Sequence, residues 1–327
     1  MRCDRCDDAA IIHQGYSGRH LCETHLRRSV EKRVRRRIRA DEFLMDDATP
    51  ETPVTWVLGL SGGKDSVVMT SILHETFAAD PRVELIALTI HEGIEDYRDE
   101  SVTACLELTD RLGIPHEMVS YEEEFGLKMD DVVTHEAATM APCAYCGVLR
   151  RDILEQYADR LGADLLFTGH NLDDETQTAM MNLLSGDVAQ MAKHFGASLG
   201  PLSERRDTHR FVPRAKPLRD IPEREVALYA HTKELPMHFA ECPHSSEAFR
   251  GEVQGVVHDI EEDHPGTRHS IMSGYEELAR LAAAAHEGAG EEAIGECDRC
   301  GAATSRELCR SCDVVTQFSA EATSNHG

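Results

Sequence analysis

The chain has 327 residues, 59 of them acidic and 34 basic, so it carries a net charge of −25; it is long enough for one large core or two domains with small modules, and its overall sign by itself argues against a nucleic-acid partner. Of the basic residues 28 are Arg and six are Lys, a bias that resembles proteins adapted to high salt, where the Debye length falls to about 3 Å and like-charge repulsion is screened. No apolar run of about 18 residues occurs and no apolar segment follows the opening Met1-Arg2-Cys3-Asp4-Arg5-Cys6, so neither a membrane span nor a signal peptide is expected, and the cysteine usage fits reduced thiols in a cytoplasmic protein.

Residues 1–25 form a first unit. Cys3 and Cys6, two residues apart, are followed after fifteen residues by Cys22 and His25 with the same short gap, the spacing of two knuckles that present four ligands to one zinc ion. Residues 26–53 are a basic helical arm and an acidic linker. The arm, 26–40, holds eight Arg or Lys and one Glu, so it is +7 while the remainder of the chain is −32. Such a segment is a candidate contact for a phosphate backbone; the plainer alternative is a solvated helix paired with the acidic body.

From residue 54 to about 235 strands alternate with helices. Strands are expected at 54–60, 83–90, 116–121 and 164–168, and helices at 66–73, 101–112, 147–161, 173–184 and 222–232. This order implies an α/β fold, a doubly wound parallel sheet covered on both faces, with ligands at the carboxyl ends of its strands. Residues 54–240 are taken as that domain, and 241–290 as a helical extension. An Ala/Gly/Glu stretch at 282–296 reads as a linker to a last unit, 291–327, in which Cys297, Cys300, Cys309 and Cys312 repeat the zinc pattern before a polar tail expected to fray. Each terminal unit is too small to fold by apolar burial alone, so bound metal is expected to supply its folding energy.

The loop Ser61-Gly62-Gly63-Lys64-Asp65-Ser66 sits between the first strand and helix of the domain. Glycines and a helix N-terminus suit it to an anionic phosphate. It is not the common nucleotide loop, which needs Gly at the position of Leu58 and a hydroxyl at that of Asp65. Ser-Gly-Gly-x-Asp-Ser after a strand resembles instead the PP-loop of the ATP pyrophosphatases, which cleave ATP between the α and β phosphates and adenylate a substrate. On that reading the amides of Leu60, Ser61, Gly62 and Gly63 and the hydroxyls of Ser61 and Ser66 hold phosphate. Lys64 stabilises the departing pyrophosphate, and Asp65 orients the loop or a Mg²⁺ ion. Ile90 ends the next strand, where it serves either the adenine ring or the core. After the fourth strand, Gly169 permits a close approach, and Asp173, Asp174 and Glu175 open a helix. Capping alone accounts for Asp173, whereas Asp174 also suits Mg²⁺ or nucleotide.

Three cysteines remain besides Cys105, which lies in an apolar helical pattern. Cys143 and Cys146 precede a helix, and Cys242 follows about a hundred residues later. Three thiolates lack the fourth ligand of a structural zinc site. They can hold three irons of a [4Fe–4S] cluster and leave the fourth open to a ligand such as sulfide. Alternatively, Cys143 or Cys242 carries a persulfide.

Taken together, the flanking zinc modules, Ser61 to Ser66, Pro142 to Cys146, Thr168 to Glu175 and Cys242-Pro243 resemble the TtuA/NcsA family of tRNA 2-thiouridine synthetases, over nearly the whole chain. The resemblance implies a PP-loop, adenine nucleotide α-hydrolase-like domain and an ATP-dependent sulfurtransferase acting on a tRNA uridine, with wobble U34 expected. It implies that Cys143, Cys146 and Cys242 hold the cluster, that Arg150, Gly169 and Asp174 join the nucleotide site, and that ATP, Mg²⁺ and two Zn²⁺ are bound. Arg150 departs from the Lys expected at that position in many relatives, and His25 from a Cys. The resemblance further implies a ubiquitin-like thiocarboxylate carrier as sulfur donor, and a homodimer. Two rivals are a 2-thiocytidine synthetase, which as a group lacks the terminal zinc modules, and a zinc-stabilised RNA-binding scaffold with a decayed ATP site, against which the intact loop and the Asp173-Asp174 pair count.

Overall fold

The computed structural model describes residues 1–204, 211–244, 248–285 and 295–319. A short antiparallel hairpin, β1 (Ile12–Gln14) and β2 (Arg19–Leu21), leads directly into α1 (Glu23–Ala40). The first zinc unit and the basic arm therefore share one helix across the 25/26 boundary: Cys22 is its N-cap and His25 lies in its first turn. Leu26, Val30, Val34 and Ile38 recur every fourth residue and are buried, which fixes the helix against the body by one apolar stripe.

The central sheet is parallel throughout. Its strands are β3 (Val54–Gly59), β4 (Val83–His91), β5 (His116–Ser120), β6 (Leu165–Phe167) and β7 (Arg214–Ala215), in the spatial order β5-β4-β3-β6-β7. Along β3 the side chains alternate between two cores: Trp56 and Leu58 face one, Val57 the other. The first core is closed by α1, by α2 (Lys64–Phe77) and later by α9 (Glu223–Thr232). Between β4 and β6 come α3 (Tyr97–Leu112), the short α4 (Tyr121–Phe125) and α5 (Met129–Thr134), and α6 (Pro142–Arg160), of which α6 supplies Tyr145, Leu149 and Ile153 to the second core. The helix expected from residue 147 thus begins five residues earlier, because Pro142 at the first position presets a helical φ and needs no N–H partner.

After β6 run α7 (Leu172–Ser185) and α8 (Val188–His194), on which α10 (Ala248–Asp263) and α11 (Thr267–Ala285) pack in the extension. The last module is a hairpin, β8 (Gly295–Glu296) with β9 (Ala303–Thr304), and α12 (Arg310–Ser319). The tail expected to fray from residue 313 is helical to Ser319, with Phe318 set edge-on to Tyr145 of α6 at 5.2 Å. Residues 320–327, and the 286–294 part of the expected linker, lie outside the described residues. Among the described residues no helix is long and apolar enough to cross a membrane.

Candidate active site at the sheet's switch point

The strand order reverses beside β3, with β4 on one side and β6 on the other, so the loops that follow β3 and β6 open into one crevice. In open α/β sheets that crevice is where ligands bind. The loop after β3 is shaped by its glycines and serines. Gly62 has φ +81°, and a Cβ there would lie 2.2 Å from Ser101 O of α3, so no other residue fits. Ser66 Oγ accepts from Ser61 N at 3.1 Å and donates to Gly63 O at 3.0 Å, which folds the loop over the start of α2. Two of the amides expected to face phosphate are already used: Leu60 N donates to Leu88 O in the sheet at 2.9 Å, and Ser61 N donates to Ser66. Gly62, Gly63 and the first turn of α2 are left to offer N–H groups, as a helix N-terminus does.

Lys64 is held at 2.9 Å from Asp65 and 2.8 Å from Glu223; burial opposes its charge, but the two carboxylates outweigh it and raise its pKa. Asp65 Oδ1 also accepts from Asn171 Nδ2 at 3.0 Å, which joins the loop after β3 to the loop after β6. Asn171 caps α7 in a reciprocal box: its Oδ1 accepts from the amides of Asp173 and Asp174, and Asp174 Oδ2 accepts from Asn171 N at 3.1 Å. Partial burial, with Asp65 nearby, pushes the Asp174 carboxyl up to about 6. Asp173 instead accepts from Glu223 N at 2.8 Å and pairs with Arg268 at 2.9 Å, so it fastens α9 and α11. Gly169 does permit a close approach, to α2 itself: its absent Cβ would lie 2.8 Å from Asp65 C and Ser66 N. Ile90 is 5 % exposed and belongs to the second core, its carbonyl engaged by Arg98.

The three remaining cysteines gather at the same end of the sheet. Cys143 and Cys146 lie in the first turn of α6, and Cys242 follows α9. His244 brackets two of them through its main chain, with its N–H on Cys242 and its carbonyl 3.8 Å from Cys143 Sγ. Tyr121 donates to Cys146 O at 2.8 Å, and Arg150 Nη2 donates to Cys146 Sγ at 3.2 Å. Burial pushes the Cys146 thiol up while Arg150 works in the opposite direction. Two other sets are closed much more tightly. Cys3, Cys6, Cys22 and His25, and Cys297, Cys300, Cys309 and Cys312, each bring four ligand atoms within 4.8 Å of one another, and both suit tetrahedral zinc. Among the described residues Cys143, Cys146 and Cys242 do not close to that spacing. This is expected of thiols that each hold a different iron rather than one shared ion, and three sulfur donors with no fourth fit a cluster with one open iron.

The basic arm divides in two. Arg33 pairs with Glu225, and Arg37 with Asp220 at 2.8 Å and Asp41 at 3.1 Å, as the plainer alternative required. Arg28, Lys32, Arg36 and Arg39 are exposed in a line along α1 and meet no carboxylate among the described residues. The sequence reading missed Asn171, Glu92, Arg98, Tyr121 and His244. Asn171 had a signal, since a capping residue followed three positions later by an acid marks a helix start; the others act through contacts distant in sequence.

The PP-loop domain family matches residues 31–247, and the N-terminal LIM domain of the 2-thiouridine synthetase TtuA matches residues 2–27. The tRNA 2-thiolation protein NcsA of Haloferax volcanii is 62% identical, over 98% of this chain and all of that one. The cytoplasmic tRNA 2-thiolation protein 1 of Aspergillus niger is 33% identical over 96% of this chain and 87% of its own. A solved structure, the U34-tRNA thiolase NcsA of Methanococcus maripaludis with its [4Fe–4S] cluster, superposes with a TM-score of 0.78 at 35% identity, covering 96% of this chain and 95% of that one. The phosphate loop, the three-cysteine set and the paired zinc modules, together with these likenesses, make the chain a member of the TtuA/NcsA family of PP-loop tRNA 2-thiolation proteins.

Proposed function

We propose that this chain replaces O2 of a tRNA uridine, the wobble U34, with sulfur at the expense of ATP. The observation that carries the reading is the meeting of the phosphate loop and the three-cysteine set at one end of one sheet. Gly62, Gly63 and the first-turn amides of α2, with the Ser61 and Ser66 hydroxyls, would hold the phosphates. Asp65 and Asp174 would face a Mg²⁺ ion, and Lys64 would meet the charge that grows on the pyrophosphate. The uracil O2 attacks the α-phosphorus; the new P–O bond forms as the bond to the β-phosphate oxygen breaks, and pyrophosphate leaves. Sulfide then adds to C2, the C2–O2 bond breaks, and AMP departs with the original oxygen, so no net electron transfer is needed. Activation is required because a carbonyl oxygen is a poor leaving group. Cys143, Cys146 and Cys242 would hold a [4Fe–4S] cluster, which supplies an open iron to carry sulfide.

The reacting base must leave its stack, as loop nucleotides can. The line of Arg28, Lys32, Arg36 and Arg39 supports α1 as a contact for the tRNA backbone, since unpaired cations are conspicuous in a chain of charge −25. Family likeness, rather than a surface of this chain, supports a ubiquitin-like carrier as sulfur donor and a homodimer as the assembly. The test is an anaerobic assay with ATP, Mg²⁺, sulfide and tRNA. The wild type should hold about four iron and two zinc per chain and release one AMP and one pyrophosphate per 2-thiouridine. Cys242→Ala should bind ATP but form no thiolated base. Thiolation at the wild-type rate by Cys242→Ala refutes the assignment of the cysteines, and ATP turnover without thiolation refutes the reaction.

A further inference from the structure

Residues 92–98, which run from the end of β4 into the first turn of α3, join the two halves of the site. Arg98 is 3 % exposed and reaches into the phosphate loop, where Nη1 donates to Ser61 O at 2.9 Å and Nη2 donates to Ile90 O. Its Nε lies 2.5 Å from Glu92 Oε2. Glu92 is equally buried, at 3 % exposure, and gives its other oxygen to Arg150, 2.8 Å from Nη2 and 3.0 Å from Nε. Arg150 in turn donates to Cys146 Sγ at 3.2 Å. From the main chain of the phosphate loop to a sulfur of the cysteine set, the path is cation, anion, cation, in direct contact at each step.

One guanidinium would be enough to offset a buried carboxylate. Glu92 has two, one on each oxygen, and each has its remaining contacts in a different half of the site. The planar fork of arginine suits this: it holds several acceptors at once in fixed directions, which a lysine cannot do. The backbone that carries Glu92 is fixed as well. Its carbonyl accepts from Met129 N at 3.0 Å, and the next residue, Gly93, has φ +70° with its absent Cβ 2.8 Å from the Lys128 side chain.

We propose that Glu92 is a positioning residue: it sets Arg150 against the Cys146 sulfur and, through Arg98, ties that pair to the phosphate loop, so that a change at either half is felt at the other. The proposal rests on the reading that the loop binds ATP and the cysteines act on the same substrate. The Glu92 side chain reaches the phosphate loop through Arg98 and the cysteine set through Arg150.

The test uses the full-length, zinc-loaded protein and titrates it with Mg²⁺–ATP, comparing wild type, Glu92→Gln, Arg150→Lys and the double variant. Glu92→Gln keeps the shape of the side chain and removes its charge. It should weaken ATP binding roughly fivefold to tenfold; Arg150→Lys should weaken binding by itself but add little on top of Glu92→Gln, because coupled residues are not additive. Wild-type affinity in Glu92→Gln, or effects that multiply in the double variant, overturns the proposal. Where Glu92→Gln fails to fold, judged by zinc content and far-UV circular dichroism, Arg98→Lys and Arg150→Lys form the cycle instead. Those two are linked through Glu92, so additivity between them overturns the proposal equally. A wild-type protein that binds no ATP overturns the function proposed above together with this coupling, whereas ATP binding with additive effects overturns the coupling alone.

Discussion

Gly62→Ala is the sharpest single test of the phosphate loop. The substitution carries two separate penalties. At φ +81° a Cβ meets its own backbone, which costs about 1–2 kcal/mol. The new carbon would also sit 2.2 Å from Ser101 O and 2.8 Å from Ser101 C, against 3.4 Å for ordinary contact. Ser101 is 2 % exposed and lies in the body of α3, so the loop rather than the helix must give way, by more than about 1 Å. Overpacking of this kind costs about 1–3 kcal/mol, so the total loss of stability is about 2–5 kcal/mol. The displaced loop also draws Ser61 O away from Arg98, and ATP binding should weaken at least about tenfold. Gly63→Ala is the control, because its φ is −78° and its Cβ would meet nothing closer than Ser61 Oγ at 3.7 Å. That variant should stay within about 1 kcal/mol of wild type, mostly as a poorer helix cap. Urea denaturation followed by circular dichroism compares the stabilities, and calorimetric titration gives the affinities. Equal stability of the two variants, with wild-type ATP affinity in Gly62→Ala, would refute the reasoning.

Three further outcomes are expected. The Asp174 carboxyl, pushed from 3.8 up to about 6, binds its proton more tightly folded than unfolded, so its contribution to stability is present at low pH and is lost as pH rises from about 4 to 6. Asp174→Asn should remove that loss, gaining on the order of 1–2 kcal/mol at pH 8 after allowance for its partial contact with solvent, and should abolish pyrophosphate release; a stability difference from wild type that is the same at pH 4 and pH 8 argues against it. Glu225 is 2 % exposed and accepts from Gln14 at 3.0 Å and Tyr16 at 2.7 Å while pairing with Arg33, so it clamps the first zinc module to α9. Glu225→Ala strands a largely buried guanidinium and should cost about 3 kcal/mol in urea denaturation; a change below about 1 kcal/mol would show that the clamp is replaceable. Cys309→Ser should lose one zinc per chain and loosen α12, whose Gln317 donates to Tyr145 Oη at 3.2 Å beside the cysteines of α6. Iron content under anaerobic purification should fall in that variant, and an unchanged iron content counts against support of α6 by the C-terminal module.

Residues 61–66, the two zinc sets and the alternation of strands and helices could be read from the chain because each rests on contiguous chemistry. A glycine-rich turn after an apolar run, paired ligands a few residues apart, and apolar periods of two and three to four each specify their own local geometry. The three-cysteine set was legible by subtraction, as the thiols left over once the zinc ligands were assigned. What the tertiary structure alone decided lies where residues far apart in sequence share a surface. The start of α6 at Pro142 and the helix that unites the first zinc unit with the basic arm depend on packing as well as on local signals. The arm's cations divide into those paired inward and those left outward according to which face meets α9, which composition cannot tell. Gly62 and Gly169 looked like glycines for a nucleotide, yet their nearest constraints are Ser101 of α3 and the first turn of α2. The chain of contacts from Ser61 through Arg98, Glu92 and Arg150 to Cys146 spans three separate segments, the phosphate loop, residues 92–98 and α6. No local pattern encodes it, because a buried ion pair is set by the long-range fold that desolvates it, whereas a turn or a ligand pair is set by the few residues that make it.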